Sequence, residues 1–464
     1  MTERKPKSVH ITNYYHKNSG GISTVYNRLL EAANRHERYV RLIVPGERDE
    51  QEDIGEFGRI YYVKAVQSPI FDRRYRIIMP WQYLSQDTRI LQILREEMPD
   101  IIEVAEKYTL TYLAGHIKKG SIKSLKRPML VHLSCERMDD NLRAFVSGTI
   151  PFGWLSRNLM GNYVAPMFDY YIANSDYTAQ ELIDAVANGR SGQYSKPFQK
   201  FCWQFFNASA EQFSGRVFVN NCGADTEFFN PNRKNQEIRR QILAEAGFSE
   251  NATVLLYIGR LSPEKNIKLL PEVLRSLLDF YNLDLAKLEY RLLVAGDGPQ
   301  AAWLNEKLEK HAPGKFKMLG HIGDKEKLAN LYANSDIFIH PNPREPFGIS
   351  PLEAMASGTP VVAPNSGGVL SYATDENAWL KEPDAEDYFA AVRDIFNDPE
   401  KRERKIKNAL ETVRRFSWEN STDRLFGLYD KLYGEFSSRR VLLSNENEQS
   451  PPELAKSLAQ RPSL

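Results

Sequence analysis

The chain has 464 residues, a formal net charge of +1, and 42% hydrophobic and 26% charged residues. That length suits two to three domains with sizeable cores, and near-neutrality removes the global electrostatic footprint of a nucleic-acid-binding protein. Cys135, Cys202 and Cys222 are far apart, odd in number and without metal-ligand spacing, which suits a reducing compartment. The opening MTERKPKSVHITNYY lacks the apolar core of a signal peptide, and no uninterrupted apolar run approaches the roughly 20 residues of a membrane span. The expectation is a cytoplasmic protein, soluble or peripheral at the inner face of the plasma membrane.

Short apolar, β-branched runs alternate with helical patterns from end to end. In the first half they fall at 8–12, 40–44, 60–63, 100–104, 129–133 and 170–173; in the second, at 217–219, 254–258, 291–295, 316–319, 337–340 and 360–363. Continuously apolar strands separated by helices imply parallel sheets covered on both faces, and so many exceed one ordinary sheet. The break is expected at the turn-rich NNCGAD, 220–225. The fold class is therefore α/β, with two doubly wound domains facing across a cleft at the carboxyl ends of their strands. Residues 1–215 make the first domain and 216–415 the second. A helical stretch over 416–437 follows, and then a polar tail, 438–464, expected to be disordered. The aromatic segment 189–210 has no readable fold.

Several stretches in the first half carry chemistry. Gly20 and Gly21, in NSGGISTV, let backbone approach an anion at a helix N-terminus, or serve only as a flexible turn. The GxGxxG spacing and a Walker lysine motif are absent. The stretch 68–81, SPIFDRRYRIIMPW, mixes arginines with apolar side chains. It suits an amphipathic acceptor or an anionic membrane surface, and equally the basic face of a soluble enzyme. His132, in VHLSCE at the end of its strand, either faces the cleft or belongs to the core. Glu136, Asp139 and Asp140 follow it beside the cleft.

In the second half, YIGRLSPEKN, 257–266, places Arg260, Ser262-Pro263 and Lys265 after a strand. A lysine in a first helical turn opposes the helix dipole unless both face a bound anion, and Arg260 adds a planar fork suited to phosphate oxygens. An exposed lysine and an ion-paired arginine are the bland alternative. VAGDGP, 294–299, and MLGHIGD, 318–324, end the next strands at the same rim. The most informative segment is REPFGISPLEAMASGTPVVAPNSGGV, 344–369. Ser350, Pro351 and Glu353 read as an N-cap, a first helical residue and a capping-box partner, with Gly358 closing the helix. Glu353 is thus a cap or a ligand contact. Glu345 precedes the helix in a proline-flanked loop, where no capping role explains it. A loop of free backbone amides opening a helix at a strand end can hold a polyhydroxylated or phosphorylated ligand.

With these residues in place, the chain resembles the GT-B glycosyltransferases of glycosyltransferase family 4, retaining enzymes with nucleotide-sugar donors. The hallmark Glu-x7-Glu pair is present as Glu345 and Glu353 around Phe347-Gly348, with GRLSPEKN and VAGDGP upstream. The resemblance covers most of the chain and is strongest over 217–369. It implies a GT-B hexosyltransferase (EC 2.4) in which Arg260 and Lys265 clamp the donor diphosphate, Glu353 accepts from the ribose hydroxyls and Glu345 contacts the transferred sugar. The backbone of Phe347, Gly348, Ile349 and Ser350 binds sugar hydroxyls and phosphate, Gly20 and Gly21 approach the diphosphate, and His132 touches the donor sugar. Residues 418–435 cross back to the first domain.

No Asp-x-Asp pair occurs in the chain. The resemblance implies metal-independent, cofactor-free transfer from a UDP- or GDP-linked donor to a carbohydrate or lipid acceptor, with a glycolipid or polysaccharide precursor favoured. The region 68–81 is loosely similar to sulfolipid-synthase-like and phosphatidylinositol mannosyltransferase-like members. A sugar phosphorylase or epimerase of the same shape, and a non-catalytic nucleotide-sugar-binding protein, are the alternatives.

Overall fold

The computed structural model describes residues 4–16, 20–68, 76–145, 152–187, 196–282 and 288–448. Two sheets organise them. The first contains β1 (Ser8–Ile11), β2 (Val40–Gly46), β3 (Glu50–Ile54) and β4 (Gly58–Lys64). After a ribbon of β5 (Val66–Gln67) and β6 (Arg76–Ile77) it continues with β7 (Ile101–Val104), β8 (Met129–Ser134), β9 (Tyr170–Ala173) and β10 (Val217–Val219). Its order is β10-β9-β8-β7-β1-β2-β4-β3. Only β3 runs antiparallel to its neighbour. The second sheet contains β11 (Ala252–Ile258), β12 (Glu289–Ala295), β13 (Phe316–Gly320), β14 (Ile337–Ile339), β15 (Val361–Pro364) and β16 (Trp379–Lys381). It is parallel throughout, in the order β13-β12-β11-β14-β15-β16.

Each sheet has a separate apolar core on each face. Burial on both sides is why the strands read as unbroken apolar runs. Strand order reverses between β1 and β7 in the first sheet and between β11 and β14 in the second. Loops diverge at such reversals and leave a crevice for ligand.

Two expectations need correction. The run at 217–219, placed at the head of the second domain, pairs instead with Tyr171–Ala173 and forms the edge of the first sheet. Its valines extend a parallel edge already present, and the chain changes domain only at the turn that follows. The tail is helical well past residue 438, because the C-terminal helix spans Trp418–Glu448. Leu425, Phe426, Tyr429 and Leu432 anchor that helix in the first domain's core, and extending an anchored helix needs no new nucleus. Within 189–210, residues Lys196–Phe205 form a helix. Positions 188–195, 69–75 of the arginine-rich stretch, and 449–464 lie outside the described residues.

Two sheet strands fall outside the expected runs. β3, EQEDI, is almost wholly exposed at the edge of the first sheet, and β16 is only three residues long at the edge of the second.

The returning helix is tied down by a buried carboxylate. Glu103 accepts from His10 Nδ1 at 2.9 Å and Tyr26 Oη at 3.2 Å, and the Tyr429 hydroxyl donates to its other oxygen. A fully buried acceptor needs such donors. Tyr429→Phe is expected to lower stability by about 1–2 kcal/mol, read as a shift in the urea unfolding midpoint. An unchanged midpoint would mean this bond contributes nothing.

Candidate active site

β11 and β14 flank the strand reversal of the second sheet, and their outgoing loops bring together residues 80 apart in sequence. After β11 the chain runs against the turn that follows β12. Leu261 N donates to Asp297 O at 3.0 Å and Gln300 N to Leu261 O at 2.9 Å. A side chain on Gly296 would overlap the Gly259 carbonyl, so only glycine allows this approach. Arg260 sits on this loop, partly exposed. Pro263–Lys265 then form a short 3-10 turn. Asn266, in the left-handed region at φ 51°, donates from Nδ2 to Pro341 O at 2.9 Å and ties the turn to the end of β14.

Lys265 therefore lies in an isolated turn, apart from the helix Leu269–Asn282. The dipole conflict expected for it does not arise, and its charge is met by Glu345. Lys265 Nζ donates to both carboxylate oxygens, at 3.0 and 2.8 Å, and Asn342 Nδ2 donates to one of them at 2.9 Å. Burial pushes the Glu345 carboxyl upward, but the Lys265 ammonium more than offsets it and holds the group at about 2. His340 lies beside the pair, its Nε2 3.7 Å from Glu345. Burial brings that imidazole down to about 4, so it is neutral at pH 7, and its Nε2 has no hydrogen-bond partner.

The backbone under Glu345 is clamped. Gly368 N donates to Glu345 O at 2.6 Å, and a Cβ on Gly368 would overlap the Pro346 carbonyl oxygen. Ser175, from the first domain, donates its hydroxyl to that same carbonyl at 2.5 Å. Phe347 turns inward against Tyr372, ring centroids 5.2 Å apart, leaving only its backbone toward the cleft. Gly348, at φ 89°, is the N-cap of the helix Ile349–Ala356, with no side chain capping it.

That assignment corrects the capping-box reading. Ser350 and Pro351 lie inside the helix, so Glu353 has no capping partner, and the first amides are left open toward the cleft. Gly358, at φ 73°, follows the helix end as expected. Glu353 accepts from the Tyr332 hydroxyl at 3.0 Å, yet burial pushes its carboxyl up to about 7. It is the member of the pair that titrates near neutrality.

The first domain faces this arrangement with Gly20 and Gly21. Gly20, at φ 103°, precedes the helix Gly21–Arg35, again with no capping side chain. A Cβ on Gly21 would stand 3.3 Å from Ile349 Cδ1. Two uncapped helix N-termini, one per domain, thus meet across the cleft. Asp140 lies 3.6 Å from Arg344, and the Tyr14 hydroxyl donates to Glu136 at 2.5 Å.

His132 does not reach the cleft surface. It is 0% exposed, its Nδ1 lies 3.1 Å from Val104 O, and its ring packs on Phe168. Burial pushes it down to about 3, a neutral core histidine. The strand runs one residue further, to Ser134, which keeps His132 within the ladder. Sequence reasoning missed His340, Asn342 and Asn266. The HPNPRE run holds two of them, but their roles appear only when the turn after β11 lies beside it.

The family described as Glycosyl transferases group 1 matches residues 238–412. A GDP-mannose-dependent alpha-(1-6)-phosphatidylinositol dimannoside mannosyltransferase of Mycobacterium tuberculosis is 26% identical over 418 residues, covering 89% of this chain and 93% of that protein. A GDP-mannose-dependent alpha-mannosyltransferase of Corynebacterium glutamicum is 24% identical over 408 residues, 87% and 83% of the two chains. Among solved structures, sucrose-phosphate synthase from Thermosynechococcus elongatus superposes with a TM-score of 0.65 at 18% identity, over 92% of this chain and 100% of that one. This last likeness concerns the fold.

Gly368→Ala is expected to destabilise the protein by roughly 2 kcal/mol or more, since the backbone under Glu345 must move. Gly427→Ala, in open space on the C-terminal helix, is expected to be neutral or stabilising. Thermal unfolding of the two variants checks the contrast.

Proposed function

We propose that this chain, a nucleotide-sugar hexosyltransferase of the GT-B fold carrying a group 1 glycosyl transferase domain, moves a mannosyl or related hexosyl group from a GDP-linked donor to a hydroxyl of a glycolipid precursor, with retention and without a metal. The observation that carries the reading is the meeting of two uncapped helix N-termini with Lys265 and Arg260 on one side of the cleft. Helix N-termini and cations together favour a diphosphate. The relatives that cover most of this chain support the choice of donor, since both are named as GDP-mannose-dependent. The name of the first also supports a lipid-linked acceptor.

In this reading the diphosphate lies between Gly20-Gly21 and the amides of Phe347 to Ser350. Lys265 and Arg260 balance the charge that develops on the departing nucleotide. Lys265 is 25% exposed at its side chain, so one face of the ammonium can serve the donor while the other keeps Glu345 ionised. Glu345 orients the transferred sugar. Glu353 accepts hydrogen bonds from the ribose hydroxyls. With no carboxylate nucleophile assigned on the opposite face, the departing phosphate oxygen takes the acceptor proton, and the new bond forms on the face that is vacated. Peripheral contact with a membrane fits such an acceptor; among the described residues no helix is long and apolar enough to cross one.

Release of nucleotide from a panel of UDP- and GDP-sugars tests the donor, and absence of both release and thermal shift across the panel would overturn the reading. The anomeric proton signal of the product tests retention. Lys265→Ala is expected to raise the donor KM on the order of tenfold, because one phosphate contact is lost. Glu345→Ala is expected to lower kcat on the order of 10²-fold while leaving donor KM unchanged or lower, since it frees the lysine.

The ribose contact requires an ionised Glu353, whose carboxyl sits at about 7 rather than the usual 4.5. Donor affinity is therefore expected to strengthen as pH rises through about 7. Glu353→Gln should flatten that dependence in a titration of donor binding against pH.

A further inference from the structure

A second concavity, of about 140 Å³, lies in the first domain against the segments that leave the carboxyl ends of β7 and β8. Its apolar wall is made by Met138, Leu159, Val164 and Met167, and Tyr112 and Tyr163 stand at its rim, 47% and 43% exposed. Its lysine and threonine are already engaged. Lys107 Nζ is paired with Glu181 at 2.6 Å and also donates to Glu136 O, so only its methylene stem remains. The Thr111 hydroxyl donates to Glu106 O at 2.8 Å. A concavity walled by apolar side chains, with its lysine and threonine already engaged, suits an apolar ligand.

Two further features mark the place. Met160–Val164 form a π-helical turn, in which Gly161 is pressed against Ala185 O and its own carbonyl accepts from Trp203 Nε1 at 2.9 Å. Such turns are uncommon and concentrate at functional sites, and this one presents Tyr163 and Val164 to the groove. Beyond the rim an apolar ridge continues. Phe198 packs edge-on to Tyr163 with centroids 6.5 Å apart, and Phe201 and Phe205 are largely exposed. On the inner side, Met138 begins the helix Met138–Phe145, which packs on the Pro263–Lys265 turn and carries Asp140 to within 3.6 Å of Arg344. The groove is thus one helix away from Lys265 and Glu345.

We propose that this groove takes the alkyl chain of the acceptor, seating its first few methylenes while the rest runs out over the ridge of Phe198, Phe201 and Phe205. The proposal rests on the reading of the acceptor as a glycolipid. The size agrees, since apolar cavities of about 150 Å³ accept a benzene-sized guest. A chain held there enters from the exposed ridge, and its sugar headgroup is directed past Met138 toward the donor site.

The test uses the full chain and a series of alkyl α-D-mannosides, from methyl to octyl, kept below their micelle concentrations and titrated by calorimetry. Affinity is expected to rise roughly fourfold per methylene over the first few carbons and then to level off as the cavity fills. Val164→Trp, which fills the groove, should bring the octyl compound to within about twofold of the methyl one. Tyr163→Ser, at the exposed rim and without risk to the core, should weaken octyl binding at least about threefold, the loss of part of one apolar contact.

No gain from the alkyl chain in the wild type, or a gain untouched in both variants, would overturn the proposal. Thermal shift with GDP-mannose is measured on the same samples. A retained donor shift without alkyl dependence overturns the groove and leaves the transferase reading standing. Alkyl dependence lost in the variants without any donor shift supports the groove and counts against the donor assignment alone.

Discussion

The ion pair between Glu345 and Lys265 is the contact on which the cleft depends. A carboxylate 9% exposed would be expected to take up a proton. It stays ionised because an ammonium lies within 3.0 Å of both its oxygens and an amide supplies a further donor. The pair also fixes geometry. It joins the loops after β11 and β14, the two strands that flank the reversal of order in the second sheet. Without it, the turn carrying Lys265 would be held to the end of β14 chiefly by the Asn266 amide. The close approach of Gly368 to Pro346 serves the same end, holding the backbone under Glu345.

The seam between domains is polar and narrow where the cleft lies. Ser175 reaches the Pro346 carbonyl, Asp140 approaches Arg344, and Asp225 pairs at 2.7 Å with both Arg28 of the first domain and Lys325 of the second. The ion pairs among these are partly exposed and individually weak, whereas Ser175 is itself fully buried. The larger apolar attachment is made by the C-terminal helix, whose Leu425, Phe426 and Leu432 enter the first core, and Val25 of the helix Gly21–Arg35 also packs on the second domain's core. Firm attachment at the back and polar contact at the front separate the work of assembly from that of binding.

The domains also divide the chemistry. The second supplies charge and open amides, features a diphosphate needs whichever sugar it carries. The first supplies Gly20-Gly21 at the cleft and, beside Met138, an apolar groove. In the proposed reading the second domain holds most of the donor and the first domain selects the acceptor. It also explains why the acceptor was the least readable part of the chain. Tyr112, Met138 and Tyr163 come from three separate elements and share no motif.

The sequence by itself determined most of the strands, the two-sheet class and most of the residues that the structure brings together around Glu345 and Gly348. The reason is physical: strands buried on both faces must be unbroken apolar runs, and glycines forced by close approach or left-handed backbone leave fixed punctuation, as at Gly296, Gly348 and Gly368. Glu345 was legible because no local rule explained it. Glu353 was ambiguous, since local rules offered a cap that the Gly348 N-cap removes. Tertiary structure alone decided the rest. It put Val217–Val219 on the first sheet because an open edge was available there. It kept His132 inside the ladder, where strand pairing outweighs its polarity. It also gave Lys265 its partner 80 residues away, a pairing set by the reversal of strand order and invisible to any local pattern.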